Sequence, residues 1–156
     1  MADTSAEALR RTPLDSEHDA AGARMVPFAG WRMPLQYEGI IAEHMAVRIS
    51  AGLFDVSHMG QLVVRGRATI DALQLVLSND LGRIPEPGMA QYTMLLGANG
   101  GIEDDLIAYR IEEDELLLVV NAANRVHDVA LLDGIAEDVS EGWAMFALQG
   151  PAALDV

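Results

Sequence analysis

The sequence predicts an α+β fold, a largely antiparallel sheet with flanking helices. Three observations carry this. Strand-like runs at 92–96 and 102–110 flank a turn at 97–101 built on Asn99-Gly100, the pattern of a β-hairpin. Stretches with helical spacing stand before and after the strands instead of alternating strictly with them, which favours helices set against an antiparallel sheet. No Gly-x-Gly-x-x-Gly follows a strand, and "GANGG" at 97–101 is a turn, so a parallel nucleotide-binding fold is the weaker option.

Taken in order, residues 1–11 are polar and Ala-rich and read as a flexible lead-in, with order beginning at Thr12. "GWRMPLQY" at 30–37 mixes Gly, Trp, Pro and Tyr without a clear period and reads as a surface loop with buried aromatic anchors. Residues 40–50 read as a helix with Ile41, Met45 and Arg48 on one stripe and Gly52 where a C-terminal cap belongs. A short β-rich run covers 61–65. An amphipathic helix covers 69–77, with Ile70, Leu73, Val76 and Leu77 on its apolar side. Pro85, Pro87 and Gly88 interrupt the chain before the hairpin. After it come an acidic turn at 112–115, a third strand at 116–120, and a helix at 124–135 with Val126, Val129, Ala130 and Leu132 as its apolar residues. A closing strand is expected at 143–148, and Pro151 opens what looks like another helix just as the sequence ends.

Composition narrows the function. The 156 residues are 51% hydrophobic, enough to bury a real core in one domain, and no apolar run approaches the roughly 20 residues of a membrane helix. The N-terminal segment lacks the apolar region of a secretory signal, which points to the cytoplasm. There is no Cys, so disulfides, thiolate nucleophiles and zinc-finger patterns are excluded. All ten basic residues are Arg against 24 acids, a net charge of -14. With no Lys there is no Schiff base and no Walker lysine, and so negative a chain repels phosphate backbones, which argues against nucleic-acid partners. A small molecule or a protein partner remains.

Some constellations are tempting by residue type alone. Asp55, Ser57 and His58 have the types of a hydrolase triad, but near neighbours on an extended segment point to opposite faces and cannot form the relay. His18, His44, His58 and His127 lack the spacing of a metal site, so none is expected. The methionines read as core filler, except Met59, which stands in a loop and could line a flat apolar pocket.

Asp104 and Asp105 are the best functional lead. Two adjacent carboxylates precede Leu106, Ile107, Ala108 and Tyr109 in an otherwise apolar strand, where charge must find partners, meet water in a cleft, or change its proton affinity. In a strand Asp105, Ile107 and Tyr109 share one face and Asp104, Leu106 and Ala108 the other, so only one acid can face a given pocket. A solvated edge and a working site both fit at this point. Tyr92 in the facing strand and Asn121 at the end of the third would suit a planar, nitrogen-bearing ligand beside a carboxylate.

Several collinear blocks go further: "RTPL" at 11–14, "GARMVPFAGWRMPLQY" at 22–37, "EHMAVR" at 43–48, "GLFDVSHMGQ" at 52–61, "GGIEDDLIAYR" at 100–110 and "VVNAAN" at 119–124. Together they closely resemble aminomethyltransferase, the T-protein of the glycine cleavage system. The resemblance implies the N-terminal part of that family's folate-binding domain over 12–156, truncated at its C-terminal side. It implies transfer of a one-carbon unit from the aminomethyl-lipoyl arm of H-protein to tetrahydrofolate, with release of ammonia and formation of 5,10-methylenetetrahydrofolate, and no metal. By the same resemblance Asp105 is the catalytic carboxylate, and Met59, Tyr92 and Asn121 line the folate cavity beside it. Asp104 becomes the structural or solvated member of the pair, and Tyr109 is carried over with them only by sharing Asp105's face. The folate portion of a sarcosine or dimethylglycine dehydrogenase, a folate-dependent demethylase, or a folate-binding module without activity are the alternatives of related fold.

Overall fold

A computed structural model describes residues 8–156 and confirms the α+β class. The described residues divide into two compact units, residues 8–58 with 144–156, and residues 59–143. No helix among the described residues is long and apolar enough to cross a membrane.

The first unit contains more strand than the sequence suggests. Strand β1 (Arg10–Arg11) lies parallel to β3 (Trp31–Gln36), which pairs antiparallel with β2 (Arg24–Phe28). The last residues of the expected lead-in are therefore ordered, and its part at 1–7 lies outside the described residues. The expected loop at 30–37 is mostly β3. Its start is a tight turn in which Ala29 and Gly30 both have positive φ, 48° and 79°, the conformation that lets a two-residue turn follow the twist of its strands. Pro34 hid the strand. It is tolerated because β1 pairs only with Trp31 and Arg32, so the proline lies beyond that short ladder. Trp31 and Met33, on one side of β3, are buried. Helix α1 (Asp15–Ala20) is tied to the sheet by Arg32, which reaches Asp15 at 2.8 Å and Asp19 at 2.6 Å.

Helix α2 (Ile40–Ile49) forms as expected, with Glu43 accepting from the free amides of Tyr37 (2.7 Å) and Gly39 (2.8 Å) at its start. The stripe of Ile41 and Met45 is exposed. Gly52 is no cap: the helix ends at Ser50, and Gly52 opens β4 (Gly52–Asp55), which pairs with the closing strand β10 (Phe146–Gln149). The glycine that matters is Gly150. Its φ is 119°, a Cβ there would sit 2.4 Å from the Ser50 carbonyl oxygen, and that oxygen accepts from the Ala152 amide at 3.0 Å. A short 3₁₀ turn at Ala153–Asp155 follows where a helix was expected. An apolar cavity of about 820 Å³ is lined by Phe28, Met33, Tyr37, Val47 and Phe54 among others.

The second unit carries the main sheet. Strands β5 (Gly60–Arg65), β6 (Ala90–Leu96), β7 (Ile102–Glu112), β8 (Glu115–Val120) and β9 (Glu137–Asp138) stand in the order β6-β7-β8-β5-β9, with every neighbour antiparallel. The predicted hairpin is β6–β7. One irregularity interrupts it: Leu95 faces Asp104 but Leu96 faces Ile102, so Glu103 is an extra residue on β7. One face of the sheet, with Leu62, Val64, Leu106, Ala108, Leu116, Leu118 and Val120, packs against Ile70 and Leu73 of α3 (Arg67–Gln74) and against Leu77, Leu81, Ile84 and Leu132.

Helix α4 (Arg125–Leu131) differs in orientation from the expectation. Val126 is exposed, whereas Asp128 and Leu132 are buried, so a polar residue occupies the inner face. Among the methionines, Met33 is core, but Met45 and Met89 are exposed.

Leu118→Ala is expected to cost about 2–5 kcal/mol, because a fully buried side chain leaves a cavity. Ile41→Ser should stay within about 0.5 kcal/mol. Chemical denaturation of the two variants checks the assignment of the core, and equal losses would contradict it.

Candidate functional site

Strand alternation assigns the two acids to opposite faces of β7. Asp104, with Leu106 and Ala108, is on the core side and only 6% exposed; Asp105, with Ile107 and Tyr109, is on the other side and half-buried. The solvated-edge reading of Asp104 therefore fails. Burial by itself would raise its carboxyl, but hydrogen bonds from Asn121 and Asn124 outweigh burial and hold it below the usual range.

Those donors come from one stretch. Asn121 follows the last residue of β8, and its amide nitrogen Nδ2 donates to Asp104 Oδ1 (3.0 Å), to the Asp105 carbonyl (3.0 Å) and to Asp105 Oδ1 (3.2 Å). Asn124 Nδ2 donates to Asp104 Oδ1 at 2.8 Å. A turn joins the two, with the Asn124 amide bonded to the Asn121 carbonyl, and the Asp128 amide then bonds the Asn124 carbonyl as α4 begins. Residues 121, 124 and 128 follow helical spacing, so their side chains stack toward the same carboxylate. Val120 pairs with Gly60, whose bareness brings α4 close: a Cβ on Gly60 would meet Val120 at 2.4 Å and the Arg125 side chain at 3.1 Å.

The predicted residues fall into place around Asp105. Register puts Asp105 across from Met94 on one side, and continues to Asn121 on the other, because Leu106 faces Val120. Tyr92 pairs with Ile107, one step along the same face, and is 53% exposed. A hydrogen bond to the Asp105 carboxylate, with burial and the charge of both aspartates, holds the Tyr92 phenol above its usual range. Met59 is half-buried and immediately precedes Gly60, which pairs with Val120, so it stands at the same end of the sheet as Asn121. Tyr109 lies farther along, opposite Ala90.

The result is a half-buried carboxylate between an exposed phenol and a carboxamide. Among the described residues the Asn121 carboxamide bonds through Nδ2, which leaves its oxygen available as an acceptor. Such a group can hold the N–H edge of a flat heterocycle and accept a proton from it or steady a positive charge beside it.

Three members were not foreseen. Asn124 and Asp128 were visible only as polar residues at helical spacing from Asn121. Gln61, whose backbone faces Val119 in the row that contains Ile107 and Tyr92, is fully buried with neither end of its carboxamide bonded among the described residues. Elsewhere, Asp55 does not form a relay with Ser57 and His58. It accepts from the Ser57 backbone at 3.0 Å and contacts His18 Nε2 at 3.0 Å, and His18 Nδ1 meets the Tyr37 hydroxyl at 2.8 Å.

Residues 14–156 match the GCVT N-terminal domain. Aminomethyltransferase of Deinococcus deserti is 48% identical across 100% of this chain, which covers 45% of that protein. Aminomethyltransferase of Rubrobacter xylanophilus is 54% identical over 93% of this chain and 40% of its own length. Glycine cleavage system aminomethyltransferase T from Bartonella henselae superimposes with a TM-score of 0.81 at 38% identity, over 94% of this chain and 42% of that one. The chain thus spans less than half the length of these relatives.

Asp104→Ala is expected to destabilise the chain by about 1–3 kcal/mol, because it strips the half-buried Asn121 and Asn124 amides of their buried acceptor. Asp105→Ala should cost well under that. Urea midpoints measure both, and a larger loss at Asp105 would contradict the assignment of faces.

Proposed function

From the premise that the chain belongs to the GCVT N-terminal domain family of aminomethyltransferases, we propose that it supplies the folate-binding site and the catalytic carboxylate of a tetrahydrofolate-dependent aminomethyltransferase. The reaction takes the aminomethyl group from the lipoyl arm of H-protein, releases ammonia, and delivers the carbon to tetrahydrofolate as 5,10-methylenetetrahydrofolate. The observation that carries the reading is the position of Asp105, half-buried and flanked by the Tyr92 phenol and the Asn121 carboxamide.

The residues suit a reduced pterin. Tyr92 is exposed enough to offer a ring face, the Asn121 oxygen can accept from a ring N–H, and Asp105 is a fixed anion. Tetrahydrofolate brings the nitrogens that receive the carbon. Asp105 accepts a proton as that transfer proceeds and stabilises the positive charge that develops on nitrogen, a contribution that grows as water is excluded. Asn121 keeps the carboxylate oriented, and Met59 gives apolar contact for the ring. Asp104 stays out of the chemistry, since its oxygens are already engaged by Asn121 and Asn124. The placement belongs with a bacterial cytoplasmic enzyme of glycine catabolism, and H-protein is the partner it requires.

In the full-length protein, Asp105→Asn is expected to lower one-carbon transfer by at least about 100-fold, because an amide of the same shape carries no charge. Asp104→Asn should retain more activity, and equal losses would refute the assignment. Calorimetric titration with tetrahydrofolate tests binding, and H-protein-dependent ammonia release distinguishes this reaction from that of a related folate-dependent demethylase.

A further inference from the structure

The Asp128 carboxyl is fully buried, and neither of its oxygens meets a hydrogen-bond donor among the described residues. An ionised carboxylate in that position has nothing to stabilise it. The carboxyl it faces is that of Asp104, itself an acceptor for three amide hydrogen bonds from Asn121 and Asn124. Two facing carboxylates need a proton between them. Asp104 has the donors that favour charge and Asp128 has none, so the proton belongs on Asp128.

We propose that Asp128 is a positioning residue for the site. As a neutral acid it donates a hydrogen bond to Asp104 and so fixes the carboxylate from which Asn121 is held against Asp105. The chain of contact is continuous: Asp128 to Asp104, Asp104 to Asn121 Nδ2 at 3.0 Å, and the same Nδ2 to Asp105 Oδ1 at 3.2 Å. A side chain with no route to substrate thereby sets the orientation of one that has it. The role in positioning Asp105 rests on the reading of Asp105 as the working carboxylate, but the hydrogen-bond chain does not.

The proton is held loosely enough to matter. Burial first, then the bond to Asp104 and its charge, push Asp128 up to about 7, against a small opposing effect of His127. The charged groups bearing on it are Asp104 from β7 and His127 on its own helix. Glu103 meets His127 at 3.1 Å, and Arg125 is paired with Asp138 and Glu141. Because the folded-state pKa is raised, folding favours the protonated form. That stabilising effect is full below the unfolded value of 3.8, fades as pH rises through about 7, and is then gone.

The test follows asparagine side-chain amide resonances and the Asp128 carboxyl carbon in isotope-labelled full-length protein as pH rises. In wild type the Asn121 and Asn124 amides should shift together with the Asp128 carbon, with a midpoint near 7. Asp128→Asn keeps a donor that cannot titrate, so the shift should vanish and the amides stay at their acid-side positions. Asp128→Leu should displace them at every pH and weaken tetrahydrofolate binding about tenfold. An Asp128 carbon that titrates with an ordinary carboxylate midpoint overturns the proposal, as do Asn121 amides unmoved by Asp128→Leu. Should neither variant fold, the wild-type carboxyl titration alone decides. If wild type binds no tetrahydrofolate at any pH, the functional reading fails while the amide titration still settles the hydrogen-bond chain.

Discussion

A carboxylate buried on the core side of a sheet has to be met by donors, and Asp104 makes that demand at the end of β7. Much of the second unit's local structure answers it. The turn after β8 is built of two asparagines whose amides reach the acid, the helix that follows begins with its polar side inward, and Gly60 is bare where that helix comes near. Without the acid the inward polar face of α4 would be an unsatisfied liability. With it, the same face becomes a scaffold whose outermost member, Asn121, also touches Asp105.

This division of labour explains why the acids are adjacent. Successive strand residues point to opposite faces, so one carboxylate can be locked into the packed side while its neighbour is presented on the other. The locked acid cannot easily do chemistry, because its lone pairs are occupied. The presented one has a phenol and a carboxamide beside it and room for a ligand. Rigidity on one face and availability on the other come from a single two-residue step.

The hairpin, the third strand and the amphipathic helix at 69–77 were legible because their local patterns agree with their packing. The alternation that separates Asp104 from Asp105 was legible too, although it could not say which acid faced which side, since that depends on where the helices pack. What escaped were features decided by distant contacts. Strand β3 was masked by Pro34, which a two-residue neighbour makes harmless. The inner face of α4 was misread because Val126 and Ala130 suggested an apolar stripe, while the decisive residue, Asp128, is polar and pays for burial by sharing a proton. Gly52 looked like a cap, but the glycine required by close backbone approach was Gly150, nearly a hundred residues away in sequence and adjacent in space.

The extra residue in the β6–β7 hairpin bears on where the chain can change length. Between the turn and the acid pair, β7 carries Glu103 with no counterpart on β6. That single unmatched position takes up the mismatch between the turn and the ladder, so the alternation that puts Asp104 with Leu106 and Ala108 toward the helices runs unbroken after it. Removing one residue there would shorten the exposed stretch next to the turn and leave each acid on its own face, because buried Leu106 and Ala108 hold the register that follows. Changes of length are therefore tolerable between the turn and the acid pair, where the residues are exposed, and not between the acids and the core residues that follow them. Two neighbouring aspartates so alike in sequence are kept distinct by arithmetic in the strand that bears them.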